Sequence, residues 1–451
     1  MNNLNVGFAR VDITPCLGIP LSGYFVDRFA DGILDNLEIN AVALNSGKDT
    51  VISLSVDNLG IPMSIWLDMR KVISEATGIC EENLIVSSTH THTGPEVCGN
   101  DKPVAQYREL LGKKAADAAR MALDDIKPAK MGWNIGKAPN VAFVRRFVMK
   151  DGSVRTNPGI GNPDIVKPIG NADENVNLIR FDRESDSVLI VNFANHPDVV
   201  GGCKISADWP GLTRRMIEKC LPNTKCSFIN GAQGDINHVN VNAANGDLND
   251  LENDFDDVLR GYGHSRHIAN VVTGAVLQAY DKVNYTDVDS IKLIEKKISV
   301  PANKAKPEEL PLAHKYKELH ESGKDSEIPF EAMELTTVVA EALRMVKLEN
   351  APDEFEMIMT GVKLGSVGLI TIPGEGFNYI GRELKKADGY DMVVPCGISN
   401  GYEEYFPTKE AYDEGGYEAR SSPFKSGVAE KIVREGTDIL ASLNNIQKYF
   451  N

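Results

Sequence analysis

Nowhere in the 451 residues is there an uninterrupted apolar run of about eighteen, the length a helix needs to cross a bilayer. No membrane span is expected. Positive charge is also short, since 48 lysines and arginines against 64 aspartates and glutamates leave a net charge of −16. Such a surface repels phosphate backbones and anionic lipid, so nucleic acid is not an expected partner. Cysteine is sparse. The seven present (Cys16, Cys80, Cys98, Cys203, Cys220, Cys226, Cys396) are odd in number, scattered and without any C-x-x-C. They read as reduced thiols rather than as a disulfide framework or a thiolate metal site. The opening "MNNLNVGFARVDITP" lacks the basic and apolar regions of a signal peptide, which with the thiols points to the cytoplasm.

What is present is an alternation of short apolar runs and helical patterns. "VISLSVDNLG" alternates like a strand, and "SIWLDMRKVISEAT" follows with helical spacing. "YRELLGKKAADAARMALDDI" is an amphipathic helix that Lys127 and Pro128 should end, and "GLTRRMIEKCL" and "GHSRHIANVVTGAVLQAYDKV" read as helices too. This predicts an α/β fold, a mixed β-sheet core flanked by helices. Two charged helical segments occupy residues 301 to about 349, and they are expected to be a helical insertion in a single domain spanning 1–451. The acidic stretch "GDLNDLENDFDD" lacks the spacing and central glycine of a calcium loop and reads as solvated.

Several apolar runs stop abruptly at polar clusters. "LIVSS" ends at His90 and His92, "VLIVNFAN" at His196 and Asp198, and "CSFIN" at "GAQGDINHVN" with Asp235, Asn237 and His238. "VGLITIPGE" ends at Glu375, and "MVVPCGISN" leads to "GYEEYFPT" with Tyr402 and Tyr405. Ligands of open α/β sheets bind beyond the strand ends, so five such endings could build one pocket. Imidazole and carboxylate are the donors that catalytic zinc prefers, so a metal site at the strand ends is expected. Spacing alone does not rank Tyr402 against Tyr405.

Taken together and in this order, "SSTHTHTGPE", "NHPD", "INGAQGDINHVN", "IPGE" and "GYEEYFPTKEAYDEGGYE" resemble the catalytic domain of the neutral/alkaline non-lysosomal ceramidase family. "DITPCLGIPLSGY" and "SVDNLG" fit as well, so the resemblance runs over nearly all of residues 6–435. It implies a ceramidase-like catalytic fold and a Zn2+ held by His90, His196, Glu375 and Tyr405. By the same resemblance Tyr417 lies near the metal as a donor to a developing oxyanion, and Arg145 faces the polar group of the substrate. His92 becomes a hydrogen-bonding neighbour of the metal. Arg146 and Lys150 read instead as part of a basic hairpin around "KDGS".

Two departures from the family stand out. Asn237 occupies the place of an essential serine, and an amide cannot attack a carbonyl. No C-terminal immunoglobulin-like domain is expected either. The resulting expectation is a divergent zinc-dependent hydrolase, with activated water attacking a small soluble polar substrate at an amide bond. Asp198, Asp235 and His238 are the candidates to supply the leaving-group proton, Asp198 also standing with Arg145 as a substrate contact. An ester, lactone or glycosidic bond, or a catalytically silent zinc-stabilised binding protein, is the alternative. The sequence says nothing of oligomeric state.

Overall fold

Strands buried on both faces must carry apolar side chains at odd and even positions alike, and the central strands do so. In Glu38–Ser46, Ile39, Ala41 and Ala43 point to one core, while Val42 and Leu44 point to another. The computed structural model describes residues 3–249, 252–253 and 259–445 and places such strands in two large sheets. The nine-stranded sheet contains β1 (Leu4–Asp12), β2 (Glu38–Ser46), β3 (Asp49–Val56), β4 (Leu84–Ser88), β5 (Lys127–Lys137), β6 (Asn175–Arg183), β7 (Ser187–Phe193), β8 (Thr224–Asn230) and β9 (Asn284–Thr286). Its order is β8-β7-β6-β5-β1-β2-β3-β4, with β9 beside β5. The second sheet is β10 (Ile291–Pro301), β11 (Glu354–Leu364), β12 (Val367–Thr371) and β13 (Met392–Cys396), in that order. Both sheets are mixed, since β3/β4, β7/β8 and β12/β13 are parallel among antiparallel neighbours.

The sheets face each other across one apolar core. Phe8, Val42, Phe181 and Ile190 meet Val362, Val367, Leu369 and Val394 there. At about 1.5–3 kcal/mol for each fully buried Val, Leu, Ile or Phe, this interface is a principal source of stability. The outer faces are covered by helices. α1 (Met63–Thr77) and α2 (Lys102–Asp124) cover one half of the large sheet with Trp66, Ile73 and Leu111. α3 (Asp208–Cys220) and α4 (Tyr262–Tyr280) cover the other half through Trp209, Ile217 and Ile268. The helix Val428–Asn445 covers the second sheet with Ile432, Ile439 and Leu443. The result is four layers, helix, sheet, sheet, helix, in agreement with the α/β expectation.

Between β10 and β11 the chain forms α5 (Leu310–Glu321) and α6 (Ala332–Leu348), which share a small cluster of Ile328, Val338 and Val339. The hairpin around "KDGS" is present as Arg146–Met149 paired with Val154–Thr156, its turn closed by Gly152 at φ 83°. One boundary differs from expectation. Lys127 and Pro128 do not merely end α2 but begin β5, where proline is tolerated because it is near the strand start. Half of the acidic stretch from Gly246 lies outside the described residues; of the rest, Gly246–Leu248 belong to a 3-10 turn. Among the described residues no helix is long and apolar enough to cross a membrane.

Candidate metal centre

The two sheets are stitched together where their parallel strands end. The Ser88 amide donates to the Ile398 carbonyl at 2.9 Å, and the Ser87 and Ser399 hydroxyls meet at 2.6 Å. The Asn230 side-chain amide donates to the carbonyls of Thr89 at 3.2 Å and Asn195 at 3.0 Å, tying the exits of β4 and β7 to the end of β8. The Glu375 amide donates to the Glu404 carbonyl at 2.8 Å. Backbone strain gathers here, with His90 at φ 77°, Ile398 at 50°, Asn400 at 63° and Glu404 at 64°. A β-branched residue such as Ile398 rarely adopts a left-handed conformation, which costs on the order of 1–3 kcal/mol and persists only when surroundings impose it.

Buried charges brace this scaffold from behind. Asp57 accepts from Arg214 Nη1 at 2.9 Å and Nη2 at 2.6 Å, from Thr89 Oγ1 at 3.2 Å and from the Glu38 amide at 2.9 Å. Asp208 accepts from the amides of Val199 and Val200, fixing the chain just after His196, Pro197 and Asp198. Burial nevertheless pushes the Asp208 carboxyl up.

His90, His196 and Glu375 are each only 1% exposed, and their side chains converge. His90 Nε2 lies 3.2 Å from His196 Nε2 and 3.4 Å from Glu375 Oε2, and His196 Nε2 lies 3.2 Å from the same oxygen. The tautomers follow from the opposite ring edges. His90 Nδ1 stands 2.7 Å from the Leu59 carbonyl, and His196 Nδ1 3.2 Å and 3.1 Å from those of Gln233 and Ile236. A carbonyl only accepts, so each Nδ1 carries a proton, and the tautomer this selects turns an Nε2 lone pair inward. Two lone pairs and a carboxylate oxygen then face one another, and among the described residues Glu375 Oε2 has no hydrogen-bond donor. Buried acceptors in mutual contact are costly unless a cation joins them. Their spacing is that of a tetrahedron edge around a zinc with bonds of about 2.0–2.2 Å. The donor set fits a divalent metal, and carbonyl-held imidazoles are the usual backing of metal ligands.

Two tyrosines border this triangle. The Tyr402 hydroxyl donates to Glu375 Oε1 at 2.9 Å, while Tyr405 is buried against Arg145, whose Cζ is 5.4 Å from its ring centroid. Burial, and then the Glu375 charge, hold both phenols well above the ordinary tyrosine value, and the Arg145 charge beside Tyr405 offsets this only in part. His92 joins His90 and His196 in a group whose ligand atoms all lie within 4.8 Å of one another. Its Nδ1 is 3.4 Å from Asp198 Oδ1, and neither ring nitrogen has a hydrogen-bond partner among the described residues. Burial, then His90 and His196, keep its ring neutral. Gly23 makes this approach possible, since a Cβ there would stand 2.7 Å from His92 Nδ1.

A cleft of about 310 Å³ opens over the group, lined by Tyr24, Phe25, His92, Glu375, Tyr405 and Tyr417, with Leu343, Arg344 and Lys347 of α6 as one wall. Tyr417 packs edge-on against Tyr405 with centroids 5.6 Å apart. Asp198, Asp235, Asn237, His238 and Arg145, also singled out in the sequence, do not line this cleft. Asp198 receives Tyr24 and Arg260, which occupy the oxygen nearest His92. Asp235, pushed up by burial, accepts from the Asn378 amide at 2.6 Å. Asn237 donates to Asn157 at 2.8 Å and accepts from the Val239 amide at 3.0 Å. His238 lines a different cavity, of about 550 Å³, with His264 and His267. Arg145 does not reach into the cleft with a free guanidinium: Nε donates to Glu418 at 2.7 Å and Nη2 to the Gly234 carbonyl at 2.6 Å. Tyr24 and Glu418 close the stretches "DITPCLGIPLSGY" and "GYEEYFPTKEAYDEGGYE", whereas Arg260 belongs to no motif; spacing marks none of the three, because their partners Asp198 and Arg145 are remote in the chain.

Burial, then the Arg145 charge, push the His196 imidazole down to about 4 from its ordinary 6.5. Between those values the unfolded chain binds a proton that the folded chain refuses, so stability falls as pH drops through this window. For metal-free protein the loss from His196 is about 3 kcal/mol over the full window, and His92 acts in the same direction. Urea midpoints of chelated protein from pH 7 to 5 should therefore decline, and less steeply in His196→Asn. Equal slopes would show that His196 is not held neutral.

No protein-family model matches the sequence, and no curated protein does. Among solved structures, the chain superposes on the neutral ceramidase from Pseudomonas aeruginosa with a TM-score of 0.72 at 15% identity, covering 99% of this chain and 75% of that one. A structure described as ceramidase complexed with C2 matches with a TM-score of 0.71 at 14% identity, covering 99% and 76%. The chain therefore has the mixed α/β fold of neutral ceramidases, with a histidine group able to hold a metal at its strand ends.

Proposed function

We propose that this protein is a zinc-dependent, ceramidase-like hydrolase of a small, soluble, polar substrate, acting at an amide bond. The observation that carries the reading is the triangle of His90, His196 and Glu375, three acceptors 3.2–3.4 Å apart with their lone pairs turned inward. Tyr405 is the fourth ligand in this reading, and Tyr402, bonded to Glu375, orients that carboxylate. When bound, zinc supplies Lewis acidity and an activated water.

The protein groups around it have separable tasks. Neutral His92, in the cleft lining, can accept a proton or hydrogen-bond the substrate, while Asp198, 3.4 Å away, is itself held by Tyr24 and Arg260. Tyr417 stands in the cleft wall as a donor to negative charge developing on the substrate. Asp235, kept protonated more readily by burial, is the better proton source of the remaining candidates, although it reaches the cleft only through its neighbours. Asn237 has both amide ends engaged and acts by holding its turn, which agrees with a reaction that uses water rather than a protein nucleophile. The cleft, about 310 Å³, is at the small end of ligand sites, which run from about 300 to 1,000 Å³. That size favours a compact substrate over a long-chain lipid. We read the chain as one catalytic domain with α5 and α6 inserted, working in a reducing compartment where its seven free cysteines stay reduced.

The test is a panel of N-acyl, ester, lactone and aryl glycoside substrates with and without chelator. About one zinc per chain is expected, together with amide hydrolysis that chelation stops. Tyr405→Phe should weaken zinc binding more than Tyr402→Phe. The reverse order would make Tyr402 the ligand. Turnover of another bond would replace the amide assignment, sphingosine release from ceramide at a rate no soluble substrate matches would restore the lipid, and zinc without any turnover would indicate a binding protein.

A further inference from the structure

We infer that Glu418 is a positioning residue for the metal centre, holding Arg145 so that its guanidinium fixes the Tyr405 side chain; this rests on Tyr405 being a ligand. Glu418 is wholly buried, and both of its oxygens are committed. Oε1 accepts from Arg145 Nε at 2.7 Å, and Oε2 accepts from Thr156 Oγ1 at 2.8 Å, with Arg146 Nε 3.9 Å away. A carboxylate gripped on both sides cannot swing. The planar guanidinium it holds is pinned at its other end by the Gly234 carbonyl at 2.6 Å.

Gly234 itself lies against Glu375, because a Cβ added there would be 2.5 Å from the Glu375 carbonyl oxygen. Arg145 thus spans from Glu418 to the backbone beside one ligand, with its Cζ 5.4 Å from the ring centroid of another, Tyr405. The neighbour of Glu418, Tyr417, touches the Tyr405 ring directly. Two consecutive residues of the short helix Tyr417–Ser421 therefore fix the same phenol, one by ring packing and one through Arg145. Although Burial opposes the Arg145 charge, Tyr405, Glu418 and Glu375 together hold it firmly on. No other arginine of the site has this arrangement between a buried carboxylate and a candidate ligand among the described residues.

Glu418→Gln keeps the shape and a hydrogen-bond acceptor but removes the charge that orders Arg145. Neighbours of metal ligands typically contribute tenfold to a hundredfold in affinity, so zinc affinity by competition with a chromophoric chelator should fall about tenfold. Copper(II) offers a second readout, a phenolate-to-copper charge-transfer band that should be present in the native protein, absent in Tyr405→Phe, and shifted or weakened in Glu418→Gln. Thr156→Val, which frees the other Glu418 oxygen, should move the band the same way by less, and it decides the matter if Glu418→Gln does not fold. A native band with unchanged band and zinc affinity in Glu418→Gln, or in Thr156→Val where that alone folds, overturns the inference while leaving Tyr405 a ligand. No native band removes the ligand assignment and the inference with it.

Discussion

Glu375→Ala is expected to bind zinc about a hundredfold less tightly while becoming no less stable in its metal-free form. Structural zinc sites are worth about 10–16 kcal/mol in all, so one of four ligands carries roughly 3 kcal/mol, or about two orders of magnitude in affinity. Removing Glu375 also removes the acceptor that crowds His90 at 3.4 Å and His196 at 3.2 Å. In chelator, the variant should therefore melt at or above the native temperature. In excess zinc the order should reverse, because ligand at about a thousand times the native Kd adds roughly 4 kcal/mol to the native protein and only about 1.4 kcal/mol to a variant that binds a hundredfold less tightly. Thermal melts in both buffers, with elemental analysis, check this. Full zinc retention, or an equal loss of stability in chelator, would mean that the three side chains form a structural hydrogen-bond cluster.

Asp57→Ala is the second large effect, and it acts through charge. Asp57 and Arg214 are both completely buried, and the carboxylate meets two nitrogens of the guanidinium at 2.9 Å and 2.6 Å. Without Asp57 the cation keeps only Glu38 at 3.2 Å. Deleting one partner of a buried pair costs about 3–5 kcal/mol, chiefly because the survivor is left desolvated and uncompensated. A loss of that size is expected in chemical denaturation. Thr89, which donates to Asp57 at 3.2 Å, precedes His90, so the same change should also weaken metal binding. Replacing both partners, as Asp57→Leu with Arg214→Met, should cost less than Asp57→Ala by itself. A single variant within about 1 kcal/mol of native would show that the pair is not a principal support.

The two predictions probe different depths of one arrangement. Glu375 belongs to the inner group, whereas Asp57 braces the backbone that delivers His90. Strain at His90 and Ile398 persists because such braces over-determine the loops.

Local pattern was enough for the elements that end in this site. Alternation in β3, the helical spacing of α1 to α4 and the abrupt stops after "LIVSS", "VLIVNFAN" and "VGLITIPGE" are properties of a few adjacent residues, and a chain records those directly. That His90, His196 and Glu375 lie at such stops was therefore visible without coordinates. Their meeting point was not, because it requires two sheets to face each other across a core that no short window contains. Tyr402 and Tyr405 are three residues apart, yet one bonds Glu375 and the other packs on Arg145, a division made by the left-handed turn at Glu404 and by groups from remote strands. His238 shares a motif with Asn237, yet it lines another cavity together with Val239, Asn240 and His264, because the short strand Ile236–Asn237 ends just before it. That Arg145 is held by Glu418, 273 residues onward, is likewise invisible to any short window. The sequence by itself determined which donors are available and that they sit at strand ends; the tertiary structure alone decided which of them share a point in space, because long-range packing, not local spacing, sets distances between loops.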